Sequence, residues 1–198
     1  SLYGNGYNAI GVTGTLVSGT WNANLTYVVT QNLTLDSTST LVLEAGTVVK
    51  FLAGANLIMR GALQANGQED REVVFTSIKD DAYGGDTQQD GAATKPAPGD
   101  WGTLYFADTS NDATSVFNYA RIRYAGASYN YGTGTATAGL AYDSAAAPIN
   151  NSLIEFSGGY GLQLINASSP VVSGTVLADN ANHGAWLSAA SSPSFNGC

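Results

Sequence analysis

Cysteine, continuous helical patterns and long apolar runs are nearly absent from this sequence of 198 residues. Its one cysteine, Cys198, has no partner in the chain, so an internal disulfide cannot form. No apolar stretch approaches the roughly 20 residues that a transmembrane helix needs. The alanines at 140–147 make a segment too short for a helix that stands alone. We therefore expect an all-β chain without membrane insertion.

Basic residues are scarce as well. Seven Lys and Arg stand against 15 Asp and Glu, which gives a formal net charge of −8. Nucleic acids and anionic membranes are bound through basic patches, so we expect neither as a partner. Charged residues make up only 11% of the chain, and Thr, Ser, Asn and Gly take their place. This composition is typical of an extracellular or cell-surface protein.

Groups that converge for catalysis are also missing. Hydrolysis of a glycosidic bond needs two carboxyl groups that face each other, and neither Glu155 nor Asp143 has a carboxylate one repeat later. Arg123 aligns with Glu155 across the repeat, which predicts a structural ion pair between these two residues. Arg121 lies two residues before Arg123 and points to the same side. The single histidine, His183, is in a turn without a Ser or Cys partner. We predict no catalytic residue and no enzymatic activity, with a polysaccharide lyase or hydrolase as the alternative.

Glycine and proline recur at a fixed spacing in the last third of the chain. The two series are Gly139, Gly161 and Gly184, with Pro148, Pro170 and Pro193. Both advance by steps of about 22–23 residues, and such a period, rich in strand formers, is typical of a solenoid in which each repeat is one coil. Apolar residues should then stack one period apart: Ile149 on Val171, Ile154 on Val176 and Phe156 on Ala178.

Short alternating apolar pairs repeat in the first half. They are Leu33/Leu35, Leu41/Leu43, Val49/Phe51, Leu57/Met59, Leu63/Ala65 and Val73/Phe75. The first three pairs match the last three in order, one period later. Strands with one buried face alternate in this way. Three strands per coil predict a right-handed parallel β-helix with three faces and coils of about 22–24 residues. A β-sandwich would explain the short strands, but it would not explain why the apolar pairs match one another one coil apart.

The chain leaves this period in two places. We expect insertions at 79–100 and 127–138, because 115–126 matches the next coil only at an offset about ten residues longer than one coil. A single β-helix domain should span 13–198 after an N-terminal tail, 1–12. The last coil stops at Cys198, which predicts an uncapped C-terminal end with an unpaired sheet edge. Such an edge favours stacking of subunits end to end into filaments.

The insertion 79–100 is rich in acidic residues, and the spacing of these residues predicts a calcium site. Asp86, Gln88 and Asp90 have the one-three-five spacing of a calcium loop, and a glycine follows at position six. Position twelve, where a bidentate Glu belongs, is occupied by Ala97, so Asp80 or Asp81 would have to complete the ligand shell. A solvated acidic loop is the other interpretation.

Two tyrosines of the second insertion, Tyr129 and Tyr131, cannot belong to the core of the coil. Exposed tyrosines beside Asn and Thr can stack on sugar rings or contact a neighbouring subunit. Packing of the loop onto its own coil explains them equally well. They are our candidates for ligand or partner contact, and polysaccharide is the expected ligand class.

The segments "TYVVTQNLTL", "LVLEAGTVVKFLAGANLIMRGALQANG" and "PGDWGTLYF", with the later "SSP" repeats, resemble the right-handed parallel β-helix repeat proteins of bacterial and archaeal surfaces. The resemblance covers about 13–198 and implies the fold more than an activity. It implies a non-enzymatic structural or adhesive domain of a secreted or matrix protein. Other copies of itself or neighbouring surface-protein domains are then the expected partners. Carbohydrate-binding and lyase-like β-helices are the alternative.

Overall fold

The computed structural model describes residues 2–198, so Ser1, the first residue of the expected tail, lies outside the described residues. Nearly every element is a strand, and within this range no helix is long and apolar enough to cross a membrane. In chain order the strands are β1 (Ile10–Leu16), β2 (Gly19–Trp21), β3 (Thr26–Leu35), β4 (Thr40–Leu43), β5 (Val48–Phe51), β6 (Leu57–Met59), β7 (Ala62–Asn66), β8 (Val73–Ser77), β9 (Leu104–Phe106), β10 (Val116–Asn118), β11 (Ala120–Arg123), β12 (Tyr129–Asn130), β13 (Thr135–Ala136), β14 (Ala138–Asp143), β15 (Ile149–Asn150), β16 (Leu153–Glu155), β17 (Tyr160–Ile165), β18 (Val171–Ser173), β19 (Val176–Ala178), β20 (Ala185–Leu187) and β21 (Ser194–Asn196). One 3-10 turn, Asp112–Thr114, lies between β9 and β10.

Parallel strands form three faces that wrap around the core. Face A contains the first half of β3 with β5, β8, β11, β16 and β19, and face B contains the second half of β3 with β6, β9, β14, β17 and β20. Face C is formed by β2, β4, β7, β10, β15, β18 and β21. Each coil contributes one strand to each face, so a strand of an inner coil pairs with strands of the coils before and after it. The predicted three-faced parallel β-helix is confirmed.

Several predicted registers are confirmed by the strand pairing. Leu33 pairs with Leu57, and Leu41 pairs with Leu63, as expected. The longer offset across the second insertion is also correct, because Ile122 pairs with Ile154. In each case the alternation of apolar and polar residues along the strand determined which side chains point inward.

Two other registers were predicted wrongly. Ile149 pairs with Val172 and Ile154 with Leu177, so the spacing of these coils is one residue longer than predicted. Val172 is buried and Val171 is exposed, because a shift of one residue turns every side chain to the opposite side of the strand. As a consequence, Ala178 pairs with Glu155 and not with the predicted Phe156.

The pair Val49/Phe51 is also displaced from its prediction. Val49 pairs with Phe75 and not with Val73, so this coil is two residues longer than predicted. The two additional residues are accommodated in the corner before β8, where Gln68 and Arg71 form an isolated bridge. A shift of two residues keeps the same side chains inside, so the core pattern did not reveal it.

The core is a continuous column of buried side chains that crosses all the coils. Phe51 stacks on Trp101 at a centroid distance of 4.0 Å. Phe106 forms edge contacts with Phe117 at 5.7 Å and with Tyr142 at 4.8 Å. Burial raises the pKa of Tyr142, whose hydroxyl donates to the Ala147 carbonyl at 2.9 Å. These contacts tie successive coils to one another.

Single residues in the left-handed conformation turn the corners of the later coils. Between faces C and A, one equivalent position holds Tyr119, Asn151 and Gly174, with φ of 46°, 49° and 55°. Between faces A and B, another position holds Tyr124, Phe156 and Asp179, again with positive φ. Because Gly and Asn adopt this conformation most readily, the other residues carry strain here.

The insertion 79–100 lies on the outside of face A. Lys50 points outward from β5 yet is fully buried, because the insertion covers it and the Gly85 carbonyl accepts from its Nζ at 2.6 Å. Gly84 packs so closely that a Cβ there would stand 2.9 Å from Thr26 Oγ1. The Thr87 carbonyl accepts from the Asn8 amide at 2.9 Å, so the insertion also contacts the N-terminal segment.

The second insertion forms the antiparallel hairpin β12–β13 on the outside of face B. Ala136 packs with Ile58, Tyr105 and Ala141 in a small apolar cluster that is separate from the main core. The two insertions therefore cover two different faces of the same helix.

The two ends differ in how they are covered. β1 begins at Ile10, inside the segment expected to be a tail, and pairs with β3. Near it, Trp21 stacks on Tyr27 at 4.3 Å. At the other end, β19, β20 and β21 have no partner on their outer edge among residues 2–198, and Leu187 and Phe195 are exposed there.

Asn151→Val tests the corner strain. A β-branched side chain in the left-handed conformation should lower the free energy of unfolding by about 1–2 kcal/mol. Asn150→Val, one residue earlier in β15, is the control and should change it by less than about 0.5 kcal/mol. Urea unfolding of both variants provides the comparison, and equal losses would contradict the role assigned to the corner.

Candidate functional site

Three tyrosines form an aromatic cluster on the outside of face B. Tyr105 points outward from β9, stacks on Tyr131 at a centroid distance of 5.3 Å and meets the edge of Tyr129 at 5.3 Å. Tyr129 and Tyr131 are half-buried, so the hairpin packs onto its own coil and still presents parts of both rings to solvent. The packing of the loop onto its own coil is therefore seen, and ligand or partner contact by these tyrosines stays a prediction.

The cluster forms one wall of a groove of about 330 Å³, which we call the tyrosine groove. It is lined by Ile58, Arg60, Tyr105, Ala107, Asp108, Thr109, Tyr129, Tyr131, Thr133 and Asp143. Its lining comes from three neighbouring strands of face B, β6, β9 and β14, and from the hairpin. Apolar rings beside a few polar groups are the usual make-up of a small-ligand site.

Asp143 anchors one end of the tyrosine groove. Its Oδ2 accepts from the Tyr105 hydroxyl at 2.7 Å, and its other oxygen accepts from the Asn166 side chain. Burial, with help from this hydrogen bond and from the charge of Asp143, raises the pKa of Tyr105 well above its ordinary range. Burial also raises the pKa of Tyr129 and Tyr131. All three rings are therefore neutral phenols at physiological pH.

The acidic insertion brings three of the five predicted metal ligands together. Asp81, Asp86 and Asp90 each offer a carboxylate oxygen, and these oxygens all lie within 4.8 Å of one another. The Oδ1 atoms of Asp81 and Asp90 are shielded from solvent and have no hydrogen-bond partner among residues 2–198. Asp86 also shapes the loop, since its carboxylate accepts from the amides of Asp90 and Gly91 at 3.1 and 2.9 Å.

The other two predicted ligands are engaged differently. The buried Asp80 accepts from Thr76 Oγ1 at 2.6 Å and pairs with Arg123 at 3.5 Å, so it faces the coil. Gln88 donates through its side-chain nitrogen to Asp90 Oδ2 at 2.7 Å. Gln88 therefore supports the position of a carboxylate in the loop.

Charge is unevenly distributed around the acidic cluster. Desolvation raises the pKa of Asp81, and the charge of Asp86 adds to the effect. On the other side of the loop, burial lowers the pKa of Lys50, whereas the charge of Asp81 opposes that shift. The cluster thus combines mutual repulsion among carboxylates with one covered ammonium group beneath it.

The two arginines on face A are held in an ion-pair network. Arg121 contacts Glu72 at 2.7 Å and Glu155 at 3.0 Å, and Arg123 contacts Glu155 at 3.3 Å. The Arg123 guanidinium also lies 4.7 Å from the centroid of the Tyr124 ring. The predicted alignment of Arg123 with Glu155 is confirmed by the strand pairing. These side chains stabilise the outer surface of face A under the insertion.

The remaining residues considered for catalysis lie apart. Glu155 is on face A, whereas Asp143 is the last residue of β14 on face B. His183 is exposed, with its ring 6.0 Å from that of Tyr160. Two carboxylates on different faces cannot flank one glycosidic bond.

Sequence reasoning missed three important residues of these surfaces. Tyr105 lies between the inward residues Leu104 and Phe106, so the alternation would have placed it outside. Arg60 follows β6 directly and lines the tyrosine groove together with Tyr105. Nothing in the local sequence indicates that Lys50 is buried, because its cover comes from an insertion about 35 residues later.

A comparison with known families supports the fold. A family model described as a pectate-lyase like beta helix domain matches residues 13–140, well over half of the chain. No curated protein and no solved structure gives a significant match. The matched range covers the strands from β2 into β14, including both insertions and most of the tyrosine groove. This chain therefore belongs to the pectate-lyase-like β-helix domain family.

Proposed function

We propose that this chain is a non-catalytic, extracellular β-helix domain of a surface or matrix protein, and that it binds polysaccharide in the tyrosine groove. The observation that carries the proposal is the cluster of Tyr105, Tyr129 and Tyr131 on the outside of face B. Sugar rings pack their apolar sides on aromatic rings, and tyrosine adds a polar hydroxyl at the edge.

The polar groups of the groove support a ligand rich in hydroxyl groups. Among residues 2–198, the side chains of Arg60 and Asp108 and the hydroxyls of Tyr129 and Tyr131 have no hydrogen-bond partner. They line the same groove as the three tyrosine rings. A polysaccharide would supply donors and acceptors to these groups while its rings cover the tyrosines.

The charges on face A favour binding over lyase chemistry. A lyase needs a base that is free to remove a proton beside a carboxylate. Arg121 and Arg123 are instead paired with Glu72, Glu155 and Asp80. Within residues 2–198, face A therefore offers no free base, and we place the function of this domain in recognition and adhesion at the tyrosine groove on face B.

Tyr131→Ala should weaken polysaccharide binding by about two- to tenfold, because an aromatic stacking contact contributes about 0.5–1.5 kcal/mol. An array of plant, algal and bacterial polysaccharides identifies a ligand, and calorimetry measures the affinity. Tyr3→Ala removes an exposed tyrosine far from the groove in sequence and serves as the control.

Unchanged affinity in Tyr131→Ala would exclude the tyrosine groove as the binding site. Each polysaccharide that binds is also incubated with the protein and calcium, and unsaturated products are followed by ultraviolet absorbance. We expect no turnover. Turnover would establish the lyase alternative instead.

We also propose that calcium binds to Asp81, Asp86 and Asp90. The two shielded carboxylate oxygens without partners support this proposal, since oxygen ligands without competing hydrogen bonds suit a hard cation. The protein offers three carboxylates here, and water would fill the remaining positions. Bound calcium would fix the insertion on face A and has no assigned role in chemistry.

The pKa of Asp81 gives the sign of the pH dependence without calcium. The folded protein holds this proton more tightly than the unfolded chain does, because the pKa is raised in the fold. Ionisation therefore costs stability as pH rises from the ordinary Asp pKa through the raised value. The penalty is absent below the ordinary Asp pKa and fully present above the raised pKa, where a bound cation would remove it.

Calcium at about 10 mM should raise the melting temperature by about 3 °C or more, as expected for a site of extracellular affinity. Chelator should reverse the shift. Asp86→Asn should abolish the response, whereas Asp36→Asn, an exposed acid outside the loop, should retain it. A melting temperature that is unchanged by calcium and by chelator would contradict the proposal.

We further propose that this domain assembles with a second copy of itself. The outer edges of β19, β20 and β21, with Leu187 and Phe195 exposed beside them, favour a second copy that stacks on this end through parallel strand pairing. Neighbouring surface-protein domains with the same coil would fit there equally. Repeated stacking of copies would build a filament.

Sedimentation velocity over a range of concentrations tests this stacking. We expect species larger than the monomer, which Leu187→Lys should dissociate because it places a charge on the end surface. Val171→Lys also adds a charge at an exposed apolar residue, but in a strand already covered by β21, and it should leave assembly unchanged. A strict monomer at all concentrations would contradict self-assembly.

A further inference from the structure

The side chains that line the tyrosine groove carry more negative than positive charge. Its one basic side chain, Arg60, shares the lining with two carboxylates, Asp108 and Asp143. A third acid, Asp36, occupies the position equivalent to Arg60 on the preceding coil, because Leu35 pairs with Met59. Neighbouring strands lie about 4.8 Å apart, so Asp36 offsets the charge of Arg60 from the side.

The rest of the chain adds to this field. The protein carries a formal charge of −8, and its only lysines are the distant Lys50, Lys79 and Lys95. A polyanion that enters the groove would therefore meet net repulsion at short and long range.

The groups that can contact a ligand in the groove are mostly neutral hydroxyls. Tyr129 and Tyr131 stay protonated because their pKa values are raised by burial, so each hydroxyl can donate and accept. Thr109 and Thr133 add two more such groups to the lining. Donor–acceptor groups of this kind match the hydroxyls of a sugar, whereas a carboxylate needs donors alone.

The size of the groove sets the length of the ligand. The lining extends over β6, β9 and β14, which corresponds to about 10 Å across three strands. A volume of about 330 Å³ lies at the lower end of ligand sites. A short stretch of a longer chain would therefore be held in the groove.

From this geometry we infer that the tyrosine groove selects neutral polysaccharides and rejects polyuronates. The inference rests on the proposed function, because it concerns the ligand class of the same groove. It separates this chain from the anionic polymer to which the family description refers, since pectate carries a carboxylate on each sugar unit.

Calorimetry with neutral and anionic hexasaccharides tests this selectivity. Cellohexaose, xylohexaose and mannohexaose are the neutral probes, and hexagalacturonate is the anionic probe. At least one neutral probe should bind, with an affinity that changes less than about twofold between low and high salt, because no ion pair is formed. Hexagalacturonate should bind at least about tenfold more weakly than that probe.

Two charge variants show whether the groove itself causes the discrimination. Asp36→Asn should improve hexagalacturonate binding by about threefold or more and leave the neutral probe unchanged, because it removes repulsion beside the groove without altering a residue that lines it. Asp70→Asn removes an exposed charge outside the groove and should change neither affinity. Equal effects of the two variants would assign the discrimination to overall charge and overturn the role of the groove.

The outcomes separate this inference from the proposed function. Preferred binding of hexagalacturonate that weakens in salt and is lost in Tyr131→Ala would overturn the neutral selectivity but keep the groove as a polysaccharide site. Absence of binding by all four probes and by the polysaccharide array would overturn both.

Discussion

The hydrogen bonding between one coil and the next is the interaction on which the whole molecule depends. Each strand of faces A, B and C is too short to be stable alone, and it receives its backbone partners from the coils on either side. This pairing fixes which side chains meet in the core column, for example Ile122 with Ile154. It also fixes the outward rows, so a residue such as Tyr105 faces outward because its neighbours Leu104 and Phe106 must face the core.

The strand pairing between coils restricts where the chain can be lengthened, but it does not restrict what packs on the outer surfaces. Additional residues can enter only where a strand ends, and both long insertions do so between a strand of face A and the next strand of face B. From there each folds onto a different face. One buries Lys50 under an acidic loop, and the other places two tyrosines over Tyr105. The regular coil thus serves as a rigid support, and each proposed ligand site includes residues of an insertion.

The sequence was sufficient for those features that the alternation of side chains determines. The fold, the pairing of Leu33 with Leu57 and the location of both insertions follow from the repeat. The sequence was insufficient to choose between two registers that would each bury an apolar residue. The adjacent valines Val171 and Val172 are such a case, because either could pair with Ile149, and Val172 does. The candidate sites were harder to predict, because distant segments build them. Asp80 and Asp81 are neighbours in sequence, yet only the folded insertion determines that Asp80 pairs with Arg123 while Asp81 joins the acidic cluster.

The central claim is that the coil is a scaffold and that its insertions carry the function. Deletion of 128–137 tests it most directly, because it removes the hairpin and returns Ile122 and Ile154 to the spacing of an ordinary coil. The measurement is the polysaccharide affinity of this variant, once its circular dichroism and cooperative unfolding match those of the parent protein. The account predicts a folded protein that has lost polysaccharide binding. Retained binding by the folded variant, or a failure of the shortened coil to fold, would contradict it.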